Sequence, residues 1–228
     1  MVEEGKENET GELQVMESRG PHPLEFLVVV AVLAGLFGWG FPRLLSLFAY
    51  ARVSAMVDFV SEARAGVLRY QNDVGAPLAL DASGTYAPQA LREADGAWSF
   101  GWVLTRSVPA SPKGLWDRFQ GPYLRATRLE SPPMGSTLRL GAGWVGLGTR
   151  QVPPPPVFDL AGVGSSTIPA GKAVAWMTVS DVERSDFEAL DARLDGAMGG
   201  TFDKRCRQGE VQWSPEGGGT LRIHLAHQ

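Results

Sequence analysis

The sequence predicts an α+β protein: a long N-terminal helix carrying a loop-rich head of antiparallel strands and one further helix. Three observations predict it. No charged side chain occurs between Phe26 and Phe41. An apolar stripe at three-and-four spacing follows, through Val53, Met56, Val57, Val60, Ala63, Val67 and Leu68, the mark of an amphipathic helix. Past Gly75 the chain turns to short apolar stretches broken by turns, in 228 residues that hold 28 Gly and 16 Pro, a high share for a compact helical protein. These features divide the chain into a polar segment over 1–20, a transmembrane helix half over 21–48, an amphipathic half over 49–75 and an α+β head over 76–228.

With Leu24 before it, and Leu44, Leu45, Leu47 and Phe48 after Arg43, the apolar run reaches the about 20 residues that a membrane-spanning helix needs. Arg43 is tolerated because its long stem lets the guanidinium snorkel to the interface. Glu25 is harder to place. An acidic side chain toward the bilayer centre costs roughly 2.5 kcal/mol or more, so this carboxylate needs a partner. Gly35, Gly38, Gly40 and Pro42 cluster in the same run. Each Gly weakens an exposed helix by about 1 kcal/mol relative to Ala, and Pro42 removes a backbone donor and crowds the preceding turn. Lipid tolerates such residues because no water competes for the backbone.

Residues 1–20 are polar and acidic, with six Glu against Lys6 and Arg19. They lack the basic start of a secretory signal peptide, and the apolar run does not end in a small-residue cleavage site. Charge bias gives little orientation, because Arg19 on one side faces Arg43 and Arg52 on the other. Taken alone, the segment also reads as an uncleaved tail before a signal anchor.

Gly20-Pro-His-Pro-Leu-Glu25, with the apolar run as far as Pro42, resembles the N-terminal segment of type IV pilins and of the pseudopilins of type II secretion. Precursors of that family carry a short polar leader ending in Gly, usually after a basic residue, and a prepilin peptidase cuts after that Gly. Glu is then the fifth residue of the mature chain and Pro often the twenty-second. Here Arg19-Gly20 ends a leader over 1–20, Glu25 is fifth after Gly20, and Pro42 is twenty-second. The resemblance covers residues 19 to 75 and extends loosely beyond them. Pro21 departs from the family, which usually has a large apolar residue there that becomes N-methylated.

The resemblance implies cleavage between Gly20 and Pro21, assembly through Glu25 and Pro42, and loss of helical order around Gly35, Gly38 and Gly40 when subunits pack. Simple close packing of small residues against a neighbouring helix is the other reading of those glycines. The implied partners are the prepilin peptidase, other pilin or pseudopilin subunits and an inner-membrane assembly platform. The implied location is the inner membrane, crossed once, with a periplasmic head that then joins a pilus or pseudopilus. A head larger than that of many major subunits, and rich in loops, points to a minor subunit.

The amphipathic half carries Arg52, Asp58, Glu62, Arg64 and Arg69 around its polar face. Asp58 and Glu62 form a like-charge pair four apart, and Arg69 lies too far from Glu62 to compensate. Asn72-Asp-Val-Gly75 and Pro77 supply a stop. A continuous helix from Leu24 to Asp73 would hold about 50 residues and extend on the order of 75 Å.

In the head, 76–96 reads as loop with a helical turn over Pro88–Glu93. Trp98–Leu104 reads as a strand or a buried aromatic patch. Lys113–Leu124 is weakly similar to a Trp/Asp…Gly-x-Pro-Tyr segment of major pseudopilins; Gly121-Pro122 forces a turn there, and Tyr123 is placed to pack over Trp116. Ser136–Leu140 and Trp144–Leu147, around Gly141-Ala-Gly143, suggest a hairpin. Pro153–Pro156 is a stiff surface spacer, and Val157–Leu160 and Ala173–Val179 are strand candidates. The second helix is expected over Asp181–Leu194, opened by a Ser180–Glu183 capping box and stopped by Gly196. Gly209–Ser214 and Thr220–Leu225 form a closing hairpin that turns at Pro215–Gly219.

Chemistry is sparse. The net charge of −4 argues against a nucleic-acid partner held by a broad basic surface. Cys206 stands alone, so no intrachain disulfide is possible and a half-buried apolar role is expected. Of the three histidines, His22, His224 and His227, the last two lie three apart in a terminal strand. Strict alternation sends them to opposite faces, which argues against a zinc pair. Asp191, Asp195 and Asp203 offer oxygens for Ca²⁺, which some pseudopilin heads bind, but match no calcium loop and are expected to be surface acids. No cofactor is expected otherwise. Ser107, Ser111 and Ser165 lie in turn-rich sequence without an evident base, and no phosphate loop or nucleophile elbow occurs. The chain is therefore expected to be structural rather than an enzyme. A signal-anchored periplasmic binding module that does not polymerise is the alternative, and an anchored periplasmic enzyme is a third class.

Overall fold

The computed structural model describes residues 23–75, 80–81, 83–86, 100–145, 156–161, 167–196 and 200–228. The leader, Gly20, Pro21, His22, the turn over Pro88–Glu93, Ser165 and most of the proline spacer lie outside these residues. The chain divides into two units, with the boundary between Leu47 and Phe48.

Helix α1 covers Pro23–Val74. In the second unit its buried residues are Val53, Met56, Phe59, Val60, Ala63, Val67, Tyr70 and Val74, a three-and-four stripe that forms one side of the head's core. Leu68, expected in that stripe, is 52% exposed, because the stripe drifts toward Tyr70. Glu62 finds its counter-charge in Arg128, 3.7 Å away. The helix stops as the sequence predicts: Gly75 has φ 101°, and its N–H donates to the Gln71 carbonyl at 2.7 Å, a glycine C-terminal stop.

Short helices α2 (Phe100–Thr105) and α3 (Ala126–Glu130) flank a 3-10 turn over Gly114–Arg118. The stretch 98–104 is thus helical where described rather than a strand. Phe100, Val103 and Leu104 are buried, and that burial explains the aromatic, apolar composition that also suits a strand. Gly121-Pro122 is a cis peptide. Tyr123 packs edge-on against Phe119 and Tyr70, with ring centroids 5.1 and 5.8 Å apart, and Phe119 in turn packs on Trp116 at 4.8 Å.

Four strands form one antiparallel sheet in the order β1-β2-β4-β3: β1 Leu138–Trp144, β2 Ala173–Val179, β3 Val211–Ser214 and β4 Thr220–His227. The closing hairpin and the Ala173–Val179 strand form where the pattern places them. The hairpin at Gly141–Gly143 does not: β1 runs straight through, with Gly141 opposite Trp176. A Cβ at 141 would lie 2.4 Å from the Trp176 indole, so this glycine makes room for a cross-strand ring instead of a turn. Val157–Leu160 is irregular chain rather than strand. Its Phe158 joins Ile168, Val174 and Trp176 in a small second core. The main core gathers α1, α2 and the opposite sheet face, through Leu140, Ala175, Met177, Leu221 and Ile223.

Helix α4 spans Arg184–Leu194, starting three residues later than expected, with Glu183 as its N-cap and no side-chain cap bond. The capping box fails because the Ser180 backbone is held by the chain just before β1: its carbonyl accepts from Ser136 N–H and its own N–H donates to the Thr137 carbonyl, both at 3.0 Å. Asp181 then takes φ 57° and holds the Ser136 hydroxyl. Gly196 ends α4 with φ 72°. Helix α5 covers Phe202–Arg205.

Candidate anchoring and assembly segment

The first part of α1 is mostly apolar, and its described side chains are open. From Leu24 at 72% to Val30 at 42%, with Phe26, Leu33, Phe37, Leu44, Leu47 and Phe48 in the same range, the large apolar residues are exposed. Contiguous apolar surface of this extent marks a contact with lipid or protein. α1 is long and apolar enough to cross a membrane by length and composition. The stretch that passes that test, Arg43–Val74, includes residues of the head's core, and Phe26–Gly35 is a shorter apolar stretch of the same helix.

Backbone at Glu25, Gly35, Gly38, Gly40 and Pro42 is helical in the single chain. A Cβ at Gly35 or Gly38 would meet nothing within 4 Å, so neither glycine is demanded by packing inside one chain. The side chains of Glu25 and Pro42, like Gly20 and Pro21 altogether, lie outside the described residues. Ser46 Oγ donates to the Arg43 carbonyl at 2.8 Å.

In the head, α1 is fixed at several points. The Arg52 guanidinium lies 3.3 Å from the Asp186 carboxylate; burial pushes this carboxyl above its ordinary value although Arg52 pulls the other way. Arg64 pairs with Glu210 and donates to the His224 carbonyl at 3.1 Å. Tyr123 donates its hydroxyl to Asp73 at 2.6 Å. Burial first, then the bond to Asp73, pushes that phenol up to about 12.

Of the three acids considered for calcium, Asp203 is exposed, Asp195 half-buried and Asp191 only 2% exposed; Asp191 is therefore no surface acid. Burial, followed by the neighbouring Asp195 charge, raises Asp191 to about 6, while Arg205 at 3.6 Å opposes the shift. Asp195 accepts the N–H groups of Glu210 and Val211 at 2.8 and 2.9 Å, tying the end of α4 to the start of β3. The sequence gives no sign of this double cap beyond an Asp before the stop glycine. Among the described residues, no group of three or more His, Cys, Asp or Glu is placed to hold a metal ion.

His224 and His227 correct the sequence expectation. The register of β2 against β4 runs Ala175 to Ala226 and then Trp176 to His224, so Leu225 is an extra residue. A bulge of this kind reverses the alternation beyond it. Both rings come to one face, with His227 Nδ1 3.1 Å from His224 Nε2. Burial, the neighbouring ring and Arg64 together lower His224 to about 4.

Burial, with Asp203 nearby, pushes the half-buried Cys206 thiol up, away from the thiolate that reaction needs. Ser107 and Ser111 are exposed in irregular chain. A cleft of about 1030 Å³ beside β3 is lined by Lys204, Arg207 and Arg222 and equally by Asp159, Asp203 and Glu216, a balanced set that selects no ligand charge. No protein-family model, characterised protein or solved structure matches this chain.

Proposed function

We propose that the chain is a pilin-like structural subunit, a minor pilin or pseudopilin, processed after Gly20 and assembled into a type IV pilus or a type II secretion pseudopilus. The observation that supports it best is the two-part character of α1. One part is head core, and the other exposes apolar side chains from Leu24 to Phe48. Such a helix is stable in lipid or against copies of itself, not in water. Residues 21–48 would then cross the inner membrane, with the head on the periplasmic side.

Cleavage frees the amine of Pro21. Glu25 of one subunit pairs with that amine on its neighbour. In low dielectric this attraction offsets the desolvation that a lone carboxylate suffers, and it sets axial register. Around Gly35, Gly38, Gly40 and Pro42 the helix is the weakest, so order lost on packing falls there.

Co-expression with a prepilin peptidase and the assembly machinery tests this reading. The native chain shifts to a shorter band and enters filaments, Gly20→Ala leaves the band unshifted, and Glu25→Ala is excluded while Glu25→Asp enters in part. Wild-type incorporation of both Glu25 variants removes the register role. An unprocessed band and a lone protein in detergent would identify a signal-anchored binding module instead.

A further inference from the structure

His224 is 6% exposed, with Phe158 edge-on at 5.4 Å and an Nδ1 that has no hydrogen-bond partner. His227 is open to solvent. Their facing nitrogens, Nε2 of His224 and Nδ1 of His227, are 3.1 Å apart. Two imidazole nitrogens at about 2.0–2.1 Å from one ion are separated by about 2.8 Å in a square-planar site and about 3.4 Å in a tetrahedral one. The observed spacing falls inside that interval before any ion is added.

We propose that His224 and His227 form a two-histidine chelate for a divalent transition metal ion, with water completing the coordination on the exposed side. The chelate is built on fixed backbone. Gln228 and Ala173 exchange N–H···O bonds of 3.0 and 3.2 Å just past His227, and His224 N–H donates to Glu210 at 2.8 Å. The nearby Arg64 guanidinium is paired with the Glu210 carboxylate, which reduces, without cancelling, its repulsion of an ion at the ring. Neutral imidazole favours Cu²⁺ over Ni²⁺ and Zn²⁺. Without an acceptor at His224 Nδ1, the site lacks the outer partner that tightens metal histidines, which fits reversible uptake. This chelate is independent of whether the chain is processed or assembled.

The test uses the full chain in detergent micelles, carrying a histidine-free tag, titrated with Cu²⁺ against a competing chelator and followed by electron paramagnetic resonance. The native chain is expected to bind one equivalent with two nitrogen ligands. His227→Ala, a change at an exposed ring, should weaken it by at least the about tenfold that loss of a mere outer-shell partner costs, and leave one nitrogen. His22→Ala should change nothing. Equal titrations for the native chain and His227→Ala, or a single nitrogen in the native spectrum, would overturn the site and leave a hydrogen-bonded ring pair only.

Discussion

The carbonyl oxygen of Tyr123 lies 3.0 Å from the point where a side chain at position 66 would begin. Leu124 closes the other side at 3.1 Å. Gly66 sits mid-helix, where glycine is a poor helix former, so its presence reports the close approach of the 121–124 segment to α1. Gly66→Leu should lower head stability by about 1–3 kcal/mol through overpacking. Gly66→Ala should change it by less than about 1 kcal/mol, because better helix propensity offsets a small shift of Leu124. Denaturant melts of the two variants check the ordering; a Leu variant as stable as native would mean the segment moves freely.

Asp195 and Gly209 make a coupled pair. Gly209 has φ 87°, and a Cβ there would lie 2.3 Å from an Asp195 carboxylate oxygen. Gly209→Ala is expected to destabilise the head by about 2 kcal/mol or more from backbone strain and this clash. Asp195→Ala leaves the Glu210 and Val211 N–H groups without their acceptor, at about 1–3 kcal/mol. The double variant should be less damaged than the two losses added together, since truncation of Asp195 removes the clash. Strict additivity in a double-mutant cycle would refute the coupling.

Long-period features were legible in the sequence, and features that depend on distant partners were not. The α1 stripe from Val53 to Val67 and its stop at Gly75 follow from local spacing and backbone freedom. Gly141 looks like a turn residue until Trp176, 35 positions on, is known to cover it. Ser180 reads as a cap because its hydroxyl precedes Glu183 by three; Ser136 and Thr137, just before β1, claim its backbone first. The face of His227 depends on a bulge at Leu225, which leaves no compositional mark. For the segment proposed for assembly, Gly20, Glu25 and Pro42 carry the reading in the sequence, and the structure adds the exposure of the apolar side chains between Leu24 and Phe48.

Asp191 gives a pH dependence. Its folded value of about 6 stands above the ordinary 3.8, so the folded head binds a proton more firmly than the unfolded chain between those limits. That contribution is complete below about pH 4 and is lost as pH rises through 6. Asp191→Asn should therefore lose less stability than the native chain between pH 4.5 and 7, by on the order of 1–2 kcal/mol. Melting curves at both pH values measure the difference; parallel pH profiles for the two proteins would place Asp191 at an ordinary value.

Charge placed on the two parts of α1 should separate anchoring from folding. Leu33 is 46% exposed and Met56 fully buried, in the same helix. Leu33→Arg puts a guanidinium into the stretch proposed to cross the bilayer, where insertion is penalised by about 2.5–3.5 kcal/mol. It should cut the membrane-bound fraction in carbonate extraction while the head keeps its cooperative melt. Met56→Arg buries an unpaired charge in the head's core and should abolish that melt, yet leave the chain in the membrane fraction. The two readouts fail separately. A Leu33→Arg chain that still resists carbonate would move the anchor out of 21–48, whereas a Met56→Arg head that still melts cooperatively would remove that residue from the core.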